Sequence, residues 1–429
     1  MTTRLEHVCG VTVHEGHRAE HVGAADVVVY SSAVRPSNPE LAEATRRGIP
    51  TIPRAEMLAE LMRLRFSIAV AGSHGKTTTT SMIAVVLERA GLDPTAVIGG
   101  RLSAFGSNAR LGRGEYLVAE ADESDRSFLL LWPTIAVTTN VDLEHMDTYA
   151  SVDHLEQAFV DFGDKVPFYG AAVVCSDDAR AAHVASRLKR RTVTYGLGDG
   201  GRQPDVLGSD VALGAFGGRC TVSRRQKDGR YATLGAMQLG IPGRHNLRNA
   251  LAAVAVADEL GLGFDGVAAA LAGFRGAERR FERLGEHAGV LVVDDYGHHP
   301  TEIAAVLAAA RTMLERRLIV AFQPHRFSRT RQLFQDFGPS LREADEIVLA
   351  DIYPAGEEPI SGVTLDTLAV AIREGSGRPV HVARTLDDVV PTVLSIARAG
   401  DAVITLGAGS IGTVPSRLVS ALERRGGGR

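Results

Sequence analysis

Short β-branched runs alternate with helical patterns along most of this chain, and glycine or proline punctuates many of the changes. That alternation is the signature of parallel α/β sheets. "ADVVVYSSA" (25–33) reads as a buried strand. "NPELAEATRRG" after it reads as a helix, with Asn38 as N-cap, Pro39 in the first turn and Gly48 closing it. "RAEMLAELMRLR" (54–65) is a connecting helix. Residues 204–240 change character: they are rich in glycine and polar residues with short alternating runs, which predicts an antiparallel excursion. The last third resumes the alternation, with strands in "GVLVVDDY" (289–296), "RLIVAFQP" (317–324), "DEIVLADIY" (345–353), "PVHVA" (379–383) and "DAVITLG" (401–407). Boundaries near Ser67 and Gly285 divide the chain into three parts: 1–66, 67–284 and 285–429.

At 429 residues the chain is too long for one ordinary core. A hydrophobic content of 45% with 23% charged residues is that of a soluble globular protein. The formal charge of −4 argues against general binding to nucleic acid or membrane surfaces. No apolar run approaches bilayer length, and "MTTRLEHVCG" has no secretory apolar core. Cys9, Cys175 and Cys220 are widely spaced, which suits neither a disulfide framework nor a zinc site. A cytoplasmic chain, monomer or homodimer, is expected.

The chemistry begins at "AVAGSHGKTTTTSM" (69–82), where an apolar strand (66–71) enters a Gly-rich turn that opens a helix. The common phosphate loop needs Gly, four residues, then Gly-Lys-Ser/Thr. Here Val70 takes the place of the first glycine, and Gly72 lies only two residues before Gly75-Lys76. Backbone amides from Gly72 through Ser73, His74, Gly75, Lys76, Thr77 and Thr78 at a helix start still form an anion site. Lys76 supplies a charge for terminal phosphates and the Thr77 hydroxyl an Mg²⁺ ligand. The chain has four lysines in all, and one stands in this turn. Four threonines in a row are poor helix starters, so something besides helix propensity selects them.

Other polar clusters follow strands. "YLVAEADESDRSF" (116–128) ends an apolar run in Glu120, Asp122, Glu123 and Asp125, either a Mg²⁺-holding carboxylate set or a solvated acidic loop. "TIAVTTNVDLEHMDTY" (134–149) repeats the arrangement with His145, a metal ligand or a structural histidine. "GIPGRHNLRNALAAVAVA" (240–257) places His245, Asn246 and Asn249 at a helix start, where Asn246 is either a cap or a ligand contact. Arg279 and Arg280 in "GAERRFE" suit charge neutralisation on a transferring phosphoryl group, or a basic surface. "VVDDYGHHPTEI" (292–303) and "FQPHRFSRTRQL" (322–333) crowd polar groups into loops after strands. Adjacent His298 and His299 point differently, so substrate contact is favoured over metal binding. "TLGAGSIG" (405–412) matches G-x-G-x-x-G but leaves no room for a further strand and its acidic residue, and reads as a tight turn.

Taken together, "AGSHGKTTTT", "EADESD", "TTN…HMDTY", "GRHNLRNALAA", "RRFE", "DDYGHHPTEI", "FQPHRFSRTR" and "GAGSIG" resemble the Mur ligases, in order and over nearly the whole chain. That family carries a shortened phosphate loop, Gly-Ser/Thr-His-Gly-Lys-Thr. The resemblance implies an α/β fold of three domains. They are an incomplete Rossmann-like N-terminal domain, a central P-loop-type ATPase domain with a mostly parallel sheet, and a Rossmann-like C-terminal domain. It implies ATP and Mg²⁺ as cofactors, with UDP-N-acetylmuramate and L-alanine as substrates joined through an acyl phosphate. Lys76 would hold the β- and γ-phosphates, and Thr77, Glu120 and His145 the metal. Asn246, Asn249 and His245 would lie near adenine, Arg280 at the γ-phosphate and Asp295 at the ribose. Tyr296, His298, Arg326 and Arg329 would grip the muramyl or alanyl part. Lys165 lies too far along to match the modified lysine of ligases that add later residues, as expected of the alanine-adding type. Nothing in residues 1–66 matches the strand and Gly-rich turn that open the family's first domain, so an incomplete uridine site and a start chosen too late are expected. The alternatives are a ligase that joins a preformed tripeptide and a nucleotide-binding protein without turnover.

Overall fold

The computed structural model describes residues 10–31, 34–102, 107–143, 148–214, 217–274, 276 and 281–426. Among these residues the strands form three sheets. The first is a parallel pair, β1 (Val28–Tyr30) and β2 (Thr51–Pro53). The helix Pro39–Arg47 joins them, its first amides at Glu40 and Leu41 bonded to the Asn38 side chain and its end closed by Gly48 at φ 69°. The left-handed turn at Gly48 suits a residue without Cβ. The helix Arg54–Arg63 then leads to the second sheet.

The second sheet has ten strands: β3 (Phe66–Ala71), β4 (Thr95–Leu102), β5 (Ser107–Arg110), β6 (Tyr116–Glu120), β7 (Ile135–Thr138), β8 (Ala171–Cys175), β9 (Thr192–Gly196), β10 (Val206–Gly214), β11 (Gly217–Arg225) and β12 (Tyr231–Leu239). Its order is β12-β11-β10-β9-β8-β7-β3-β6-β4-β5. β3 pairs in parallel with β6 on one side and β7 on the other. The loops after these three strands therefore emerge together, at the place where parallel sheets bind ligands. β10, β11 and β12 pair antiparallel, as the glycine-rich alternation of 204–240 predicts.

The helix Lys76–Arg89 lies against this sheet and is buried from Thr78 to Leu87. A helix buried on nearly every side needs compact side chains where it meets its neighbours, and threonine fits there. Thr80 also returns its hydroxyl to the Lys76 carbonyl at 2.8 Å. The helix Arg244–Glu259 packs beside it, its alanines buried from Ala250 to Ala257. Cys175 and Cys220 are buried thiols, and burial pushes the pKa of each up to about 11.

The third sheet orders β13 (Glu282–His287), β14 (Val290–Asp295), β18 (Ala402–Leu406), β15 (Leu318–Phe322), β16 (Glu346–Ala350) and β17 (Val380–Ala383). β13 is antiparallel to β14, and the other pairings are parallel. Apolar clusters cover both its faces, so its inner parallel strands β14, β15, β16 and β18 read as largely hydrophobic runs, whereas the edge strand β13 (ERLGEH) does not. No helix among the described residues is long and apolar enough to cross a membrane.

Candidate active site

The turn after β3 is short, and the segment after β7 fastens it. The His74 amide donates to Asn140 Oδ1 at 2.8 Å, and Asn140 Nδ2 donates back to the His74 carbonyl at 2.9 Å. Thr139 Oγ1 donates to the same carbonyl at 2.6 Å, and the Asp142 amide reaches Ser73 Oγ at 2.8 Å. A Cβ on Gly72, at φ +135°, would lie 2.1 Å from Thr139 Oγ1, and one on Gly75, at φ +80°, 2.7 Å from Asn249 Oδ1. Both positions demand glycine on two counts, space and backbone conformation. The Asp142 carboxyl is held below its usual range by the Leu143 amide, with the His74 ring adding to the effect.

Gly75 precedes the helix Lys76–Arg89 without a side-chain cap, so the first helical amides have no partner within the helix. Lys76 Nζ donates to the carbonyls of Gly72 (2.7 Å) and Ser73 (3.2 Å) and lies 2.9 Å from the Glu123 carboxylate. Burial raises the Glu123 pKa, and the Lys76 ammonium opposes that rise. Beside the lysine, the Thr77 hydroxyl donates to Glu120 Oε2 at 3.0 Å, and the Gly99 amide donates to the same oxygen at 2.8 Å. A hydroxyl and a carboxylate side by side at a phosphate loop are the oxygen donors Mg²⁺ prefers. A Cβ on Gly99 would stand 2.6 Å from Glu120 Oε2, so the Glu120 carboxylate occupies a cradle that only glycine leaves open.

A cleft of 610 Å³ opens between the ten-stranded and six-stranded sheets, lined by the loop from Ser73 to Thr78, Glu120, Asn140 and the segment from Ile241 to Asn246, with Asn249. The facing wall is Phe281, Asp295 and the helix Pro300–Met313, through Thr301, Glu302, Ala305, Val306, Ala309 and Met313. Asn246 is not the cap of its helix: Gly243 holds that position, and Asn246 Nδ2 donates instead to the Pro242 carbonyl at 2.6 Å. Asn249 Nδ2 in turn donates to Asn246 Oδ1 at 3.3 Å. Asp295 is 5% exposed, and its carboxylate accepts from the Phe281 and Gly297 amides, each at 2.7 Å.

Tyr296, His298, Arg326 and Arg329 gather just beyond this wall with two residues that sequence reasoning passed over, His325 and Tyr353. The His298 ring lies 5.6 Å from Tyr296 and 5.8 Å from His325, and His325 stacks on Tyr353 at 5.5 Å. Glu302, which lines the cleft, accepts from the His298 and His299 amides, so the cluster and the cleft share a wall. Burial lowers the His298 pKa, and burial with the neighbouring His298, Arg329 and Arg326 charges brings His325 to about 4. The imidazoles are therefore neutral near pH 7, beside guanidinium groups suited to a carboxylate or phosphate. The signal available for His325 was its place in the crowded loop after β15, next to Arg326. His145, Arg279 and Arg280 lie outside the described residues.

The "TLGAGSIG" turn links β18 to a short 3₁₀ turn, Ser410–Thr413, and then to the helix Val414–Gly426. Its glycines serve close packing, since Cβ atoms on Gly407 and Gly409 would each lie 2.7 Å from a neighbour, the Gln323 carbonyl and the Tyr353 ring.

Comparison with known proteins agrees with this architecture. Residues 70–257 match the Mur ligase middle domain, 279–409 the Mur ligase, glutamate ligase domain, and 2–66 the Mur ligase family, catalytic domain. The chain belongs to the Mur ligase family. It is 50% identical over 424 residues to a UDP-N-acetylmuramate–L-alanine ligase of a Geobacter species, covering 99% of this chain and 90% of that one. It is 52% identical over 412 residues to the ligase of the same name from Nitratidesulfovibrio vulgaris, covering 96% and 89%. Among solved structures, the UDP-N-acetylmuramate–alanine ligase of Thermotoga maritima superposes with a TM-score of 0.80 at 27% identity, covering 97% of this chain and 90% of that one. A murein peptide ligase from Psychrobacter arcticus gives a TM-score of 0.69 at 26% identity, covering 98% and 91%.

Proposed function

We propose that this chain is an ATP-dependent amide-forming ligase that joins L-alanine to the carboxylate of UDP-N-acetylmuramate, a cytoplasmic step in making peptidoglycan precursors. The observation that carries the reading is the cleft, in which Lys76, Thr77 and Glu120 from one sheet face Asp295 and Glu302 from another. A carboxylate is a poor acylating agent. Phosphorylating it creates a leaving group, the amine of L-alanine attacks, and the tetrahedral intermediate expels phosphate. The protein then mainly positions reactants and offsets negative charge.

In this reading the loop amides and Lys76 bind the terminal phosphates. Thr77 and Glu120, with His145, are the residues that would hold Mg²⁺, which when bound neutralises charge on the transferring phosphoryl group. Asn246 and Asn249, with His245, stand at the base, Arg280 at the γ-phosphate, and Asp295 at the ribose. Tyr296, His298, Arg326 and Arg329 hold the carboxylate-bearing substrates. Residues 1–66 serve the uridine nucleotide, 67–284 ATP, and 285–429 the amino acid.

The test is phosphate release with ATP, Mg²⁺, UDP-N-acetylmuramate and L-alanine, omitting each in turn. Release that needs all four supports the reading. Release only when a tripeptide replaces L-alanine makes the chain a murein-peptide ligase, and ATP binding without release makes it a nucleotide-binding protein.

A further inference from the structure

The Lys76 ammonium has three N–H groups and, among the described residues, three acceptors: the Gly72 carbonyl, the Ser73 carbonyl and the Glu123 carboxylate. A phosphate oxygen would be a fourth acceptor, so gripping it requires an exchange. The two carbonyls belong to the loop that must itself wrap the phosphates, and that loop is pinned by Asn140 and Thr139. Glu123 is the one acceptor that is also an anion, and its side chain is 2% exposed against 15% for Lys76. Its own loop is held from the far side. Tyr149 donates its hydroxyl to the Glu123 carbonyl at 2.6 Å, and Thr148 donates to the Ser124 carbonyl at 2.8 Å. The carboxylate is thus fixed beneath the ammonium rather than swinging in solvent, unlike Asp125, whose exposed side chain merely caps the Ser127 amide.

We infer that Glu123 is a positioning residue that competes with phosphate for Lys76: it yields the ammonium when nucleotide or phosphate binds and reclaims it when they leave. The inference rests on the proposed nucleotide site. Its consequence is a site that trades some affinity for release of ADP and phosphate. Weakening the competitor should tighten product binding and slow turnover, so that KM for ATP and kcat fall together. A carboxylate that only supported the fold would raise KM or leave it unchanged.

The experiment measures binding of Mg²⁺·ADP and of inorganic phosphate by calorimetry, together with steady-state kinetics, in the full chain and in Glu123→Gln. The glutamine keeps the shape and the Tyr149 contact, which goes to backbone. Kd for Mg²⁺·ADP is expected to drop roughly tenfold, the scale of one charge-assisted contact. Asp125→Asn removes an equal charge two residues away, and its Kd is expected to stay within about twofold of wild type because an exposed charge is screened. An unchanged or weaker Kd in Glu123→Gln overturns the inference, as does equal tightening in Asp125→Asn, which would make the effect one of general field. If Glu123→Gln melts well below wild type, Glu123→Asp carries the test. It keeps the charge but withdraws it from the ammonium, and a wild-type Kd there overturns the inference. Wild type that binds Mg²⁺·ADP, with Glu123 variants that show none of these shifts, refutes the competition alone. Wild type that binds no nucleotide refutes the proposed function as well.

Discussion

Replacing Gly99 with alanine separates the site's geometry from the fold's stability. The new Cβ would lie 2.6 Å from Glu120 Oε2 and 2.8 Å from Glu120 Cδ. Ordinary contact needs about 3.5 Å, so the carboxylate must retreat by roughly 0.7–0.9 Å. Gly99 does not have positive φ, so alanine adds no backbone strain of the left-handed kind. The atoms in the way are the far end of one side chain. Stability should therefore change by no more than about 1.5 kcal/mol in either direction, since a Gly→Ala gain of about 0.4–1 kcal/mol opposes an off-rotamer cost for Glu120 of about 0.5–1.5 kcal/mol. The functional cost is larger. The retreat pulls Glu120 off the Gly99 amide (2.8 Å) and the Thr77 hydroxyl (3.0 Å) together, disassembling the two oxygen donors offered to Mg²⁺. A misplacement approaching 1 Å costs up to about a hundredfold in rate. A fall of roughly ten- to a hundredfold in kcat/KM for ATP is expected, about 1.4–2.7 kcal/mol. The half-saturating Mg²⁺ concentration should rise with it. Phosphate release titrated against Mg²⁺, beside a thermal melt, gives both numbers. Wild-type kcat/KM with wild-type Mg²⁺ dependence would refute the reasoning. A collapsed melt would show that backbone, not Glu120, absorbs the clash.

Lys76→Ala should abolish phosphate release. It should also cost about 1–3 kcal/mol of stability by leaving the buried Glu123 carboxyl without its cation, and a melt unchanged at pH 8 would contradict the pairing. That loss should shrink as pH falls, because burial raises the Glu123 pKa and a protonated carboxyl needs no cation. Asp295→Asn leaves one acceptor for two amides, Phe281 and Gly297. It should lower stability by about 1–3 kcal/mol and raise KM for ATP, and equilibrium unfolding with ATP kinetics checks both. His325, brought to about 4 by burial and its cationic neighbours, stays neutral in the fold, while the unfolded chain protonates near its ordinary value of about 6.5. Between those values the unfolded state binds more protons, so stability rises with pH there. His325→Gln should remove part of the drop in melting temperature between pH 7 and pH 5. An equal drop in variant and wild type would show that other groups cause it.

Much of this was legible because it rests on local chemistry. The caps at Asn38 and Gly48, the apolar strands of the six-stranded sheet and the antiparallel excursion each leave a period or a turn residue in the sequence. The β4–β5 hairpin left none, since "TAVIGGRL" mixes glycine into a strand. The value of Gly99 appears only once Glu120 is beside it. Glu123 is similar. Nothing in "EADESD" distinguishes it from Glu120, Asp122 or Asp125, because what does so is burial under Lys76, a tertiary fact. The six-residue phosphate loop was legible as an anomaly, but its remedy was not, because the residues that fasten it lie near position 140.

That remedy explains how a short loop can do the work of a longer one. The common loop has four residues between its glycines with which to curl around phosphate. This one has two between Gly72 and Gly75 and cannot close on itself alone. It instead borrows a wall: Thr139 and Asn140 take up the backbone of His74, and Asp142 takes up Ser73. The arrangement requires β7 to lie directly beside β3, as it does. It also ties the phosphate loop to Asp142, three residues before His145 in the sequence. In the proposed function, a shift at either the nucleotide or the metal side must therefore be felt at the other. Asn140→Ala, which removes both of Asn140's contacts to the His74 backbone at one stroke, should weaken ATP and Mg²⁺ dependence together. A change in one without the other would break the link.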